Sequence, residues 1–384
     1  MKELTVLNWQ SRRATAPMEA AIEGFQERFP DCRIRQTVRP LSDFEHQSIE
    51  ETARRHDLIV YDHPFSGVIA RSGCLVALDE CLPGELGPSA DARYLGPSLR
   101  SYRYQGHVWG APIDGATQHA VYREDLLDAL GAELPASHAA LLALGARARA
   151  RGMYLATAIE TPHAFMSVLS YMANLGDPLV ADEQGHVRIP HESFAQAYEA
   201  LAQVLSLSAP ESLRWNSIQV HEAMVARDDL VCCPAVYGYA TYGEGDQRKP
   251  LSFGGFMGMR APFAAGATIG GTALGLSRYC PERDLALEFI RHMLSDDVQR
   301  NLIGAHCGQP ASVAGWDHPE NDARFNGFYS SVRESMVLSW VRPRYAGYVG
   351  FQHRSGEIVA EGLRERRPAD EVRENLLRES QLAG

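Results

Sequence analysis

The sequence predicts an α/β fold built on a doubly wound sheet, and three observations support this. Strand and helix patterns alternate over the first 62 residues. The chain, at 384 residues, is too long for one core, since domains average roughly 150 residues. A block of helix patterns then runs from about residue 160 to 230. Together they indicate two domains, or three, of which a later one is rich in helix.

The first strand and helix are clearly marked. "LTVLNW" at 4–9 has the apolar, β-branched character of a strand. "APMEAAIEGFQERFP" at 16–30 follows, with Pro17 in its first turn and Pro30 beyond its end. Its apolar residues recur at helical spacing: Met18, Ile22, Phe25 and Phe29. This segment therefore predicts an amphipathic helix.

Two more strands complete the opening unit. "CRIRQTV" at 32–38 predicts a second strand, and a polar segment over about 42–55 predicts a helix. "HDLIVYD" at 56–62 is a short apolar run typical of a buried parallel strand. The resulting βαβαβ order predicts a doubly wound sheet with right-handed crossovers.

The middle of the chain continues the alternation of strands and helices less regularly. "GHVWGAPI" at 106–113 is strand-like, and "QHAVYREDLLDALG" at 118–131 predicts a strand that leads into a helix. "LPASHAALLALGARARARG" at 134–152 predicts a helix with Ser137 as N-cap and Gly152 after its end.

The second half begins with three helix patterns, at 161–176, 191–207 and 216–229. The apolar strand "DLVCC" and the strand "LSFGGFMG" follow them. "ATIGGTALGLS" at 267–277 is apolar and Gly-rich, as expected of a chain that crosses between domains. Two consecutive helices are predicted over 281–304, and the C-terminal part is helical around the loop "VRPRYAGY" at 341–348.

Composition excludes several classes of function. The net charge of −11, without a basic stripe, argues against a nucleic-acid partner. No run of about 18 apolar residues predicts a membrane span. "MKELTVLNWQ" reads as a strand rather than a signal peptide, so a cytoplasmic location and a cell-envelope location with a removed leader both stay open. The seven cysteines form no C-x-x-C pair and predict structural thiols.

Enzyme motifs are absent. The sequence has no G-x-S-x-G, no P-loop Lys-Ser/Thr and no G-x-G-x-x-G after the first strand. The fourteen histidines show no H-E-x-x-H spacing, so no metal, cofactor or catalytic residue is predicted. One enzymatic alternative stays open, in which Asp62 and Asp114 act as the two carboxylates of a glycosidase.

Six pieces of the chain, in their order, resemble the carbohydrate-type solute-binding proteins of ABC importers (the family 1 solute-binding proteins). They are "GHVWGAPIDGATQHAVYREDLL", "LPASHAALLALGARARARG", "VCCPAVYGY", "ATIGGTALGLS", "LALEFIRHMLSDDVQRNLI" and "VRPRYAGY". The resemblance implies a type II periplasmic-binding-protein-like fold. Two doubly wound lobes are then joined by crossing hinge segments, and the second lobe is rich in helix.

The resemblance also implies a domain plan and a role. One lobe would comprise 1–113 plus 262–312 and the other 114–261 plus 313–384, with the ligand cleft between them. The expected role is non-enzymatic binding of a sugar, polyol or sugar acid with hinge closure. A monomer would then deliver the solute to the membrane permease of an ABC importer, from a periplasmic or cell-envelope location. The alternative is a cytoplasmic sugar sensor, or a carbohydrate-acting enzyme, on the same fold.

Candidate ligand residues follow from the rule that open α/β sheets bind ligands outside the carboxyl ends of their strands. The strand-end candidates are Trp9, Arg12, Arg13, Asp62, His63, Asp114, Gln118, Tyr237 and Tyr239. A helix start adds Glu160, the crossing segment adds Gly271 and Thr272, and the late loop adds Arg342, Arg344 and Tyr345.

These residue types suit a sugar. Aromatic rings cover the apolar face of a pyranose, while carboxylates, amides and guanidinium groups satisfy its hydroxyls. Four arginines, however, exceed what a neutral sugar requires, so an anionic ligand stays open: Arg12, Arg13, Arg342 and Arg344. Structural alternatives also stay open. Trp9 could close the core, Asp62 could cap a helix, Asp114-Gly115 could be a turn, and "VRPRYAGY" could pack a hinge.

Overall fold

The structure is a computed structural model that describes residues 1–382, without the side chains at positions 42, 45 and 46. It contains eleven strands in this described part: β1 Lys2–Trp9, β2 Cys32–Arg39, β3 Leu58–Tyr61, β4 Arg103–Tyr104, β5 His107–Val108, β6 Ala111–Tyr122, β7 Val180–Ala181, β8 Val187–Arg188, β9 Cys232–Tyr237, β10 Ser252–Gly254 and β11 Ile269–Leu276.

Nineteen α-helices accompany the strands within residues 1–382. The first nine are α1 Arg12–Arg28, α2 Leu41–His46, α3 Ile49–Ala53, α4 Ser66–Ser72, α5 Leu78–Cys81, α6 Pro83–Leu86, α7 Ser98–Ser101, α8 Glu124–Leu130 and α9 His138–Arg149. The others are α10 His163–Leu175, α11 His191–Leu207, α12 Ser217–Ala226, α13 Arg283–Met293, α14 Ile303–Ala305, α15 Val313–Trp316, α16 Pro319–Arg324, α17 Phe328–Val337, α18 Tyr348–Glu365 and α19 Ala369–Leu382.

The chain divides into two compact units. The first unit comprises Met1–Ala116, Gly270–Asn321 and Arg342–Val349. The second unit comprises Thr117–Ile269, Asp322–Val341 and Gly350–Gly384. The lobes predicted from the sequence stay a prediction, and their ranges assign four short segments differently: 114–116, 262–269, 313–321 and 342–349.

The sheet of the first unit has the strand order β2-β1-β3-β11. β1 pairs in parallel with both β2 and β3, whereas β11 runs antiparallel to β3. All four residues of β3 are buried, as expected of a central strand covered on both faces. The predicted βαβαβ opening is therefore confirmed, and β11 makes the sheet mixed.

Helix α1 covers this sheet through the apolar residues that its periodicity predicts. Met18, Ile22 and Phe25 are buried, and the Phe25 ring packs edge-on against Phe289 of α13 with centroids 5.2 Å apart. Burying such a side chain contributes about 1.5–3 kcal/mol, which makes this contact a main support of the first unit.

The second unit combines a smaller sheet with most of the long helices. β6 pairs antiparallel with β9 and with β10. Its core joins helices α8, α9 and α11 to the buried Val231 and Cys232. Ser137 caps α9 as predicted, because its hydroxyl accepts a hydrogen bond from the Ala140 amide at 3.2 Å.

Two local predictions were wrong. The single helix expected over 42–55 is two helices, α2 and α3, because Gln47 is extended and Ser48 caps a new helix by accepting from the Glu51 amide. The strand expected to end before Asp114 instead continues to Tyr122 as β6. An Asp-Gly pair favours a turn, but here the Asp114 carboxylate is held by Arg13, so the strand can carry it.

No helix among residues 1–382 combines the length and the apolar character that crossing a bilayer would require.

Candidate functional site

The predicted ligand residues fall into groups within each unit. In the first unit, Arg13, Asp114 and Thr272 line one small cavity of about 20 Å³. Arg13 is only 5% exposed and donates two hydrogen bonds to Asp114, from Nε to Oδ1 at 2.8 Å and from Nη2 to Oδ2 at 2.6 Å. This fork geometry is the strongest form of the arginine–carboxylate pair. The charge of Arg13 is therefore compensated inside the protein.

Gly271 belongs to the same group. It has a φ of +98°, and a Cβ built on it would meet the backbone of Asp114 and Gly115. Glycine is required here because β11 and β6 approach closely in a conformation that L-residues avoid. The strand-crossing interpretation of "GGT" explains this residue fully.

A second group of the first unit surrounds Asp62, at the carboxyl end of β3. Arg342 is 1% exposed and its Nη2 donates to Oδ2 of Asp62. Oδ1 of Asp62 accepts from the His63 amide at 2.7 Å and lies 2.8 Å from Nδ1 of the same residue. Asp62 thus caps the turn at His63–Phe65 and also pairs with a buried cation, so the capping alternative is only half of its role.

Arg344 has a different partner. Its Nη1 donates towards three carbonyl oxygens, each at 2.9 Å, between the end of α7 and the start of β4: those of Arg100, Ser101 and Arg103. Tyr345 and Tyr348 are 3% and 0% exposed, and their rings pack edge-on with centroids 5.7 Å apart. The loop 342–349 is therefore anchored within the first unit by both of its arginines.

Sequence reasoning missed Tyr102, which joins the two groups. Its hydroxyl lies 3.3 Å from the Tyr61 carbonyl oxygen and 3.2 Å from that of Gly271. Its ring is 5.6 Å from Tyr61 and 6.1 Å from His63, edge-on in both cases. Nothing in "LRSYRYQG" signals this role, because all of these partners are distant in sequence.

Burial and neighbouring charges together set the pKa values of Asp62 and His63. Burial raises the pKa of Asp62, but the charges of Arg342 and His63 outweigh it and hold the pKa at about 2. Burial lowers the pKa of His63 to about 4, since Arg342 adds to this effect and Asp62 opposes it only in part. At neutral pH the cluster therefore holds an ionised Asp62 and a neutral His63.

This titration predicts a loss of stability in mild acid. An unfolded histidine takes up its proton near pH 6.5 and folded His63 only near pH 4, so the unfolded state binds more protons between these values. The free energy of unfolding should fall by up to about 3 kcal/mol as the pH drops through this window, whereas the Asp62 contribution is lost only below about pH 4.

Urea unfolding at several pH values between 7.5 and 4.5 measures this effect. His63→Phe should flatten the pH dependence. His306→Gln is the matched control, because that histidine is exposed and the variant therefore reports the loss of a surface imidazole. An equal pH dependence in wild type and His63→Phe would contradict the prediction.

In the second unit, Gln118 and Tyr237 share one partner, Thr268. Oε1 of Gln118 accepts from the Ser170 hydroxyl at 2.6 Å and lies 3.3 Å from the Thr268 hydroxyl. The Tyr237 hydroxyl lies 2.8 Å from the same Thr268 oxygen. The ring of Tyr237 also lies 6.3 Å from His163, whose Nδ1 is 3.2 Å from the Ser217 hydroxyl. These two predicted residues are thus brought together, although neither Thr268 nor Ser170 was predicted.

Four predicted residues have other surroundings. Trp9 is 4% exposed, its ring is 5.6 Å from Phe44, and its Nε1 has no hydrogen-bond partner among residues 1–382. Arg12 is exposed at the start of α1, and Glu160 is exposed just before α10. Tyr239 is 8% exposed with its ring 5.6 Å from His221.

No group of three or more His, Cys, Asp or Glu side chains within the described part of the chain is arranged to hold a metal ion. The adjacent Cys232 and Cys233 are buried thiols, and burial raises the pKa of Cys233 to about 12, so it stays protonated.

Comparison with known proteins identifies the architecture. A maltose-bound MalE3 from T. maritima superposes with a TM-score of 0.84 at 18% identity, and the match covers 100% of both chains. The fold is that of an ABC-importer solute-binding protein. A solute-binding protein from Agrobacterium radiobacter in complex with ribitol gives a TM-score of 0.82 at 15% identity, over 100% of this chain and 99% of that one. One from Thermotoga lettingae with bound α-D-tagatose gives 0.82 at 14% identity, over 100% of both.

These matches confirm the predicted α/β, type II periplasmic-binding-protein-like fold over the whole chain. No protein-family model and no curated protein matches the sequence. At sequence identities of 14–18%, the similarity establishes the fold alone. The ligand has to be inferred from this chain's own residues.

Proposed function

We propose that this protein binds a small neutral carbohydrate or polyol and delivers it, as a monomer and without chemical conversion, to the permease of an ABC importer. The observation that carries the proposal is the match of the full chain to sugar- and polyol-binding proteins. The predicted lobes, with hinge closure of a ligand cleft between them, and a periplasmic or cell-envelope location form part of the proposal.

The charges around the predicted residues favour a neutral ligand over a sugar acid. Of the four predicted ligand arginines, the three that are buried or partly buried all have partners inside the protein. Arg13 is held by Asp114, Arg342 by Asp62, and Arg344 by three backbone carbonyls. A guanidinium group that already holds a carboxylate gains little from a second one, because its donors and its charge are used.

The same observations disfavour a glycosidase. A retaining or inverting glycosidase needs one carboxyl group that stays protonated near neutral pH and acts as the general acid. The pKa of Asp62 is held at about 2, and Asp114 is bound by both arms of the Arg13 fork. Asp62 is therefore not suited to donate a proton, and both oxygens of Asp114 already accept hydrogen bonds from Arg13, which supports binding without turnover.

A thermal-shift panel followed by calorimetric titration tests the proposal. The panel compares maltose, ribitol, D-tagatose and D-mannitol with gluconate and glucuronate. A ligand at 100 times its Kd should stabilise the folded state by about 2.7 kcal/mol. Stabilisation by a neutral member is the expected result. Stabilisation by the acids alone would overturn the neutral assignment, and hydrolysis or isomerisation of a bound sugar, followed by NMR, would overturn the non-enzymatic role.

Tyr237→Ala tests the placement of the site. We expect the Kd for the best neutral ligand to rise about tenfold or more, because a ring that covers a sugar face contributes on the order of 1.5 kcal/mol. Tyr279→Ala is the matched control, since Tyr279 is 47% exposed on the first unit. Equal affinities in the two variants would remove Tyr237 from the site.

A further inference from the structure

A groove on the second unit has no part in the proposed carbohydrate site. It lies between α11 and the turn that joins α18 to α19, and its volume is about 650 Å³. Leu205, Leu213 and Leu363 form its apolar part. This volume lies within the range of about 300–1,000 Å³ that small-molecule pockets occupy. None of the fifteen predicted ligand residues lines it.

The charged lining of the groove is mostly cationic, although the whole chain carries a net charge of −11. It consists of four arginines and one carboxylate: Arg149, Arg364, Arg366, Arg367 and Glu199. Arg367 is neutralised, because it pairs with Glu365 at 2.6 Å and with Glu361 at 3.4 Å.

The other three arginines form no ion pair with any residue in 1–382. All three are exposed. The Arg149 guanidinium lies 5.0 Å from the centroid of the Tyr154 ring, a contact that positions the cation without neutralising it. The groove therefore offers more positive charge than its own carboxylate can balance.

The backbone conformation of Arg366 is unusual for an arginine. This residue follows the end of α18 and has a φ of +57°, in the left-handed region. Glycine or asparagine usually occupies such a position, because other residues are strained there by about 1 kcal/mol. This strained turn places the Arg366 side chain in the lining of the groove.

A groove on the first unit provides a contrast. It has a similar volume, about 580 Å³, and its lining balances three cations against three carboxylates: Lys2, Arg28, Arg291, Asp31, Asp284 and Glu288. Lys2 pairs with Glu282 at 3.0 Å, and Arg291 pairs with Glu85 at 3.1 Å. A groove of this volume therefore does not always carry an excess of positive charge, as the groove on the second unit does.

We propose that the groove on the second unit binds a phosphate-bearing anion. The planar fork of arginine matches phosphate oxygens in a bidentate manner, and Arg364 and Arg366 supply two forks from one turn of the chain. Leu205 and Leu213 provide a surface for the apolar part of a phosphate ester. This site is independent of the carbohydrate site, so either proposal can fail without the other.

Calorimetric titration of the full chain with pyrophosphate, at low ionic strength, is the direct test. Two variants remove guanidinium groups: Arg364→Gln and Arg366→Gly. Arg366→Gly also relieves the left-handed strain, so it should leave folding intact, which circular dichroism and thermal unfolding check. Each variant should raise the Kd about tenfold, which corresponds to roughly 1.4 kcal/mol for a lost charged hydrogen bond.

Arg378→Gln is the matched control, because Arg378 is exposed on α19, donates a hydrogen bond to Asn375, and lies outside the groove. The same variants are tested for flotation with vesicles of phosphatidylcholine and phosphatidylglycerol. Pyrophosphate binding that both groove variants weaken supports a soluble phosphate ligand. Vesicle binding alone, weakened by the same variants, supports a lipid phosphate. Absence of both, or an equal loss in Arg378→Gln, overturns the proposal.

Discussion

Replacing Asp62 with asparagine should lower the free energy of unfolding by about 3–5 kcal/mol. The substitution keeps the size of the side chain and removes its charge. Arg342 is 1% exposed, so its guanidinium would stay in a dry environment without this carboxylate. Breaking a buried ion pair from one side is costly because the remaining charge cannot recover its hydration. Urea denaturation at pH 7.5 measures the change.

A surface pair provides the control for this prediction. Glu3 and Arg35 are 47% and 58% exposed, so Glu3→Gln should cost less than about 1 kcal/mol. The double variant Asp62→Asn with Arg342→Met should recover part of the stability lost in Asp62→Asn, since it removes the buried charge as well. If Asp62→Asn cost no more than Glu3→Gln, the ion pair would not be what anchors the loop.

The stability of this pair bears on the proposed hinge motion. Segment 342–349 belongs to the first unit, although the chain on both sides of it belongs to the second. Arg342 and Arg344 hold it there through Asp62 and the carbonyls at the end of α7. Under the proposed hinge motion, this segment is therefore expected to move with the first unit.

Periodicity was enough to predict most of the elements. The spacing of Met18, Ile22 and Phe25 predicted the buried face of α1, and Ser137 predicted the start of α9. These signals are local, because a helix repeats every 3.6 residues and its cap lies within one turn. The break at Gln47 was missed although its signal is local, since Ser48 caps α3 from within one turn. The continuation of β6 through Asp114 was missed because it depends on the contact with Arg13, which is distant in sequence.

The site could be predicted only in part, for the same reason. The rule about strand ends selected Asp62, and the cationic loop drew attention to Arg342. Their pairing joins positions 280 residues apart, which no local pattern encodes. The four arginines therefore left an anionic ligand open beside the neutral sugar, whereas the internal partners of Arg13, Arg342 and Arg344 argue for a neutral one.

Replacing Gly67 with alanine should destabilise the protein by about 3 kcal/mol or more. Gly67 is buried in α4, beneath the loop 342–349. A Cβ at this position would overlap the carbonyl oxygen of Arg344 and lie 2.6 Å from the carbonyl carbon of Tyr345. These are backbone atoms of an anchored segment, so a rotamer change cannot relieve the clash. The expected cost therefore lies at the upper end of what overpacking produces.

Gly24→Ala is the matched control, because Gly24 lies inside α1 and a Cβ there would have no atom within 4 Å. The same substitution should stabilise the protein at this position by about 0.5–1 kcal/mol, since alanine favours a helix interior over glycine. If thermal and urea unfolding show that Gly67→Ala destabilises the protein and Gly24→Ala stabilises it, α4 and the loop 342–349 are in backbone contact in solution. A neutral Gly67→Ala would mean that the loop can leave α4 at little cost, and both the anchored segment and the Asp62 prediction would then have to be abandoned.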